Sequence, residues 1–240
     1  MYFAFPYKAS EEGSRDKDSI NLRKAPTEKI PHRNTKLVLM GLCLGTFLAA
    51  EMGFQIFAPS MLQYLPIKMT ASTAAFALSI MSATFTIGRL ATAFISLKVS
   101  IDIILAYHFV IQLLSVGIFY INSNNLTMIY IGMALMGYGF SAPWPAIFSF
   151  TEEYLGLTAR ICAFYTFLVG ITCLITPMIL TNGFKSHPFV LIHITGILTV
   201  ISCLLFGVVR FWIWRNQVKL DNKATNIVLS DVNANNLKNC

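Results

Sequence analysis

Six stretches of about twenty apolar residues, each nearly free of charge, dominate the pattern of this 240-residue chain. They lie at about Leu37–Ala58, Ala71–Leu97, Val99–Ile121, Leu126–Phe150, Thr158–Leu180 and Phe189–Trp214. Twenty residues at helical rise match a hydrocarbon core of roughly 30 Å, so each run predicts a transmembrane helix. Barrel strands would instead alternate over about ten residues. The gaps are short and polar, as at Asn122-Ser-Asn-Asn125 and Asn182-Gly-Phe-Lys-Ser-His-Pro188. Three domains follow: a polar N-terminal cytoplasmic segment over 1–36, a six-helix bundle over 37–214, and an Asn-rich cytoplasmic tail over 215–240, the first and last expected to be disordered or loop-like. The fold class is an all-α membrane protein.

Composition strengthens that reading. Hydrophobic residues make up 55% of the chain and charged residues 12%, about half the charge of an average soluble domain. The net charge of +7 sits at the two ends and in the gaps, not in a stripe along one helix, which removes nucleic acid as a partner. Counting Lys and Arg on each side places both termini in the cytoplasm: fifteen fall inside, only Lys68 and Lys185 outside, and Arg89 within a span. The sequon Asn125-Leu-Thr127 then lies outside, close to the membrane. Five cysteines show no C-x-x-C pair or metal-ligand spacing, and Cys240 does not stand four from the end as prenylation requires.

Ionisable residues inside spans are costly and point to function. Glu51 and Gln55 are four apart and share a face of the first helix. Glu51 lies about 21 Å along that helix, past the midplane. A carboxylate there can hold a cation or proton, accept hydrogen bonds from a hydroxylated solute, or serve as a structural bond to a neighbouring helix. Arg89 lies about 27 Å along the second helix, near the inner face. A structural or gating role, for instance a salt bridge with Glu152 or Glu153, is the leading expectation for it and contact with a solute the lesser one. Arg160, Lys98 and Asp102 belong to the same inner charged layer. Tyr138, Trp144 and Pro145 fall in Gly137-Tyr-Gly-Phe-Ser-Ala-Pro-Trp-Pro145, where two prolines break the fourth helix and an aromatic face can stack on a sugar ring or anchor at the interface. Gly41, Gly45, Ala49 and Gly53 recur every fourth residue, the spacing of close helix packing. His108 and Gln112 read as glue between helices. There is no nucleotide loop, nucleophile elbow, paired catalytic carboxylates or H-E-x-x-H. No enzyme, metal or cofactor is expected.

The chain resembles the C-terminal six-helix half of a major facilitator superfamily transporter, within the sodium-dependent glucose transporter 1 group related to fucose permeases. The resemblance is carried by Ala50-Glu-Met-Gly-Phe-Gln-Ile-Phe57, Phe85-Thr-Ile-Gly-Arg-Leu-Ala91 and Gly137–Arg160, and covers about residues 37–214. It implies that the first and fourth helices line a central cavity and that the second and fifth face the other half. It also implies transport of a sugar such as a hexose, with sodium or protons as candidate coupling ions, at the plasma membrane, with Glu51, Gln55, Tyr138 and Trp144 at the cavity and Arg89, Glu152, Glu153 and Arg160 as a gating layer. The implied partners are the solute, the bilayer, and an N-terminal half or a second copy of the chain. Two positions depart from the family pattern: Gly170–Pro177 carries no carboxylate, and Gln55 replaces a small residue. Twelve spans need roughly 240 residues before any loops, so a truncated or degenerate half-carrier, acting by association alone, is the alternative.

Overall fold

A computed structural model describes residues 32–121, 124–184 and 189–238, with backbone alone at 182–184 and beyond 216. Its elements are α1 (Arg33–Tyr64), α2 (Ala71–Ile95), α3 (Ile101–Ile121), α4 (Leu126–Ser141), α5 (Pro143–Leu155), α6 (Ala159–Phe184) and α7 (Val190–Lys238). No strand occurs among the described residues. Among the described residues six helices are long and apolar enough to cross a membrane, α4 and α5 together forming one of them. The architecture is that of a multi-pass, all-helical membrane protein. The segment before residue 32 lies outside the described residues, and the α7 backbone stays helical past residue 215 as far as Lys238.

Local chemistry sets the helix ends. The Thr70 hydroxyl caps α2 by accepting from the Thr73 amide at 3.2 Å. Asn125, the sequon residue, caps α4: its Oδ1 accepts from the amides of Thr127 at 3.0 Å and Met128 at 3.4 Å. Between α4 and α5 the helix breaks at Ala142, and Pro143 takes the first position of α5, where its missing N–H costs nothing. The discontinuity expected of the two prolines is therefore present.

The helix α1 is the innermost. In its most apolar window 72% of residues are buried, against 17% in α2 and α6. Phe47 of α1 meets Phe109 of α3 and Phe140 of α4 edge-on, at ring distances of 6.1 and 5.8 Å. The small-residue stripe of α1 faces α6. A Cβ added at Gly41 would lie 2.8 Å from Leu168 Cδ1, and one at Gly53 would lie 3.0 Å from Leu180 Cδ1. At Gly45 the approach is close enough for the Thr172 hydroxyl to donate to the glycine carbonyl at 2.9 Å. Small residues let helix backbones meet where burial of apolar surface no longer drives association.

The pairing of α2 with α4 uses the same device. A Cβ at Gly137 would overlap the Met81 carbonyl, and one at Gly88 would lie 2.5 Å from Ser141 Oγ. Ser115 of α3 donates to the Gly132 carbonyl of α4 at 2.7 Å. His108 ties the same two helices: it stacks on Tyr138 at 5.2 Å, and its Nε2 stands 3.4 Å from Ser141 Oγ. Gln112, the other expected glue residue, is buried with both amide atoms unbonded.

Candidate functional site

Two open cavities share part of their walls. The larger, about 510 Å³, is framed by α2 (Arg89, Thr92, Ala93) and its C-cap Ser96, by α3 (Ile101, Ile104) and by the α4–α5 break with its following turns (Ser141, Trp144, Ser149 among them). The smaller, about 220 Å³, is lined by Leu48, Glu51 and Met52 of α1 and by Val169 and Cys173 of α6. Arg89 and Trp144 line both.

The sequence places these groups for identifiable reasons. Gly88 fits against Ser141 and Tyr138, which seats α2 on α4 and leaves the next residue, Arg89, at the cavity edge. The helix break at Ala142 does the same for Trp144, which sits in the first turn of α5 and packs on Phe148 at 5.2 Å. Glu51 lies on the buried α1, only 2% exposed. Its Oε1 accepts from Gln55 Nε2 at 3.2 Å, whereas Oε2 is buried without a hydrogen bond. The Arg89 guanidinium lies over the Phe85 ring at 4.5 Å and within electrostatic reach of the Glu51 carboxyl. It forms no ion pair among the described residues.

Glu51, Arg89 and Trp144, drawn from three separate helices, are thus brought together. Gln55 is half-buried beside Glu51 but lines neither cavity. Tyr138 stacks on His108 at the back of α4 and also lies outside both cavities. Glu152, Glu153 and Arg160 are exposed and line neither cavity, and Arg89 is paired with none of them.

The ion pair of the charged end is a different one. Arg210 Nη2 stands 2.9 Å from Asp102 Oδ2, Tyr154 donates to the same oxygen at 3.4 Å, and the guanidinium covers the Tyr154 ring at 5.6 Å. This trio joins α3, α5 and α7. Arg210 lies near the end of the last apolar run and reads in sequence as a boundary charge; only the fold brings it to Asp102.

Thr92, Ser141, Ser149 and Cys173 are cavity residues that a search for charges passes over. Their signal in the sequence is faint, since Ser and Thr inside spans commonly bond their own helix, as Ser141 does to the Tyr138 carbonyl at 2.7 Å. Chemically, the arrangement offers a free carboxyl oxygen, a guanidinium, several hydroxyls and an indole face. Among the described residues no group of three or more His, Cys, Asp or Glu is placed to hold a metal. No family model matches this chain, and no curated protein matches it.

Proposed function

We propose that this protein moves a small hydroxylated solute across a membrane by alternating access, with a hexose as the class its family resemblance favours and sodium or a proton as the coupling ion. The observation that carries the reading is the convergence of Glu51, Arg89 and Trp144 on shared cavities within a bundle of apolar helices. Intramembrane ionisable groups that face a cavity mark solute and ion pathways. The larger volume of about 510 Å³ falls within the range of small-molecule sites, about 300–1,000 Å³. The helix break beside Trp144 is the kind of discontinuity that transporter sites employ.

A partner bundle belongs to the same reading, either an N-terminal six-helix half or a second copy of this chain. The sparsely buried α2 and α6 are the faces that fit it: Phe76, Ile87, Leu90 and Phe94 on α2, with Phe167, Leu174 and Met178 on α6, are exposed. Plasma membrane is the location the family resemblance favours.

The test is uptake of labelled D-glucose into liposomes carrying the purified protein, with and without inward sodium or proton gradients. Saturable uptake that a gradient accelerates, and that Glu51→Gln uncouples from the gradient, is the expected result. Protein-free rates under every gradient would overturn the reading in favour of an association-only half-carrier.

A further inference from the structure

The larger cavity carries a single formal charge, and it is positive. Of its lining residues only Arg89 is ionised; Thr92, Ser96, Ser141 and Ser149 contribute hydroxyls, Trp144 an indole, and the rest is apolar. Glu51 lines the smaller cavity and not this one. A guanidinium cannot shed its proton, and its planar fork matches a carboxylate in bidentate fashion. Arg89 is left without an ion pair among the described residues, with an aromatic face on one side and open cavity on the other. The Thr92 hydroxyl, 8% exposed, lies one helical turn from Arg89 on the same wall, within reach of the Tyr107 hydroxyl. A cation without an ion pair, set among hydroxyls at one cavity wall, describes a ligand that brings both an anionic group and hydroxyls.

We infer that the larger cavity binds a hydroxylated organic acid, its carboxylate held by Arg89 and its hydroxyls by Thr92, Ser96 and Ser149, with Trp144 against its apolar face. This rests on the transport reading for its biological use, and narrows the solute from a neutral hexose to an acidic relative. The binding itself stands or falls without transport.

Calorimetry on the purified full-length protein in detergent separates the two. The probes are D-glucuronate, D-glucose and hexanoate: the first two share a ring and differ at one carbon, and the third has the acid without hydroxyls. Glucuronate is expected to bind saturably and at least about tenfold more tightly than either of the others, the scale of one charge-assisted contact. Arg89→Gln should remove that preference and Arg89→Lys should keep part of it. The wild-type comparison alone decides the matter should Arg89→Gln fail to fold. Glucose binding as tightly as glucuronate, or no binding of glucuronate, overturns the inference and leaves the transport reading to the glucose uptake assay. Glucuronate binding that depends on Arg89, in a protein that carries nothing across liposomes, upholds the inference and sinks transport.

Discussion

Ser141 packs so closely on Gly88 that a methyl group on the glycine would lie 2.5 Å from the serine oxygen. This contact seats α2 on α4 and fixes where Arg89 meets the cavity. Gly88→Ala should therefore cost about 1–3 kcal/mol of stability, the scale of overpacking. Adding Ser141→Gly should restore part of the loss despite the roughly 1 kcal/mol that glycine costs in a helix. Thermal unfolding in detergent of the two single variants and the pair checks this, and additive losses would contradict it.

Glycines without neighbours make the contrasting case. A Cβ at Gly41 meets Leu168 at 2.8 Å, whereas one at Gly117 or Gly207 meets nothing within 4 Å. Gly41→Val should lower the unfolding temperature. Gly117→Ala should leave it unchanged or raise it, since alanine is favoured by up to about 1 kcal/mol in a helix. Equal effects at the two positions would show that α1 and α6 do not approach as described.

Arg210 and Asp102 form a half-shielded ion pair, with side chains 33% and 16% exposed, and each keeps one buried atom without a hydrogen bond. Removing one member strands the other. Asp102→Ala is expected to destabilise by about 1–3 kcal/mol, below the full cost of breaking a deeply buried pair because water reaches both groups. Asp102→Ala with Arg210→Ala should cost less than the two single changes summed. A double-variant cycle on unfolding reads the coupling directly, and zero coupling would remove the pair from the account.

Gln112 is buried in α3 against Gly139 with neither amide atom bonded. An unsatisfied buried amide costs about 1–3 kcal/mol, and an apolar group of similar shape removes that cost. Gln112→Met should raise the unfolding temperature. A fall would mean that the amide has a partner, such as an ordered water.

Much of this architecture is legible in the sequence, because twenty-residue apolar runs admit few other structures in lipid and because Pro143 can open a helix but not continue one. The stripe of Gly41, Gly45 and Gly53 announces a close neighbour without saying which; that it is α6 follows from three-dimensional packing. Glu51, Arg89 and Trp144 stand out one by one, as charges in a span and as an aromatic beside a break. Their convergence does not, since it depends on the rotation of three helices about their axes. Gln55 and Tyr138 share a helix with cavity residues yet line neither cavity, because a shared helix does not fix which neighbour each side chain meets. The Asp102–Arg210 pair is hidden for a related reason: its members are 108 positions apart and each reads as an ordinary boundary charge.

On this reading the helices lie in a membrane, and an open, water-accessible cavity runs past Arg89 and Trp144. Cysteine accessibility in liposomes tests it most directly, in a background with the native cysteines replaced by alanine. Ser149→Cys places a thiol on the cavity wall, and Leu114→Cys places one on the outer face of α3, where Leu114 is 59% exposed. A membrane-impermeant maleimide should label the thiol at 149 and leave the one at 114 unreacted, since lipid covers the outer face. Labelling at 114 as fast as at 149 would contradict the account, because the exposed apolar faces would then meet water.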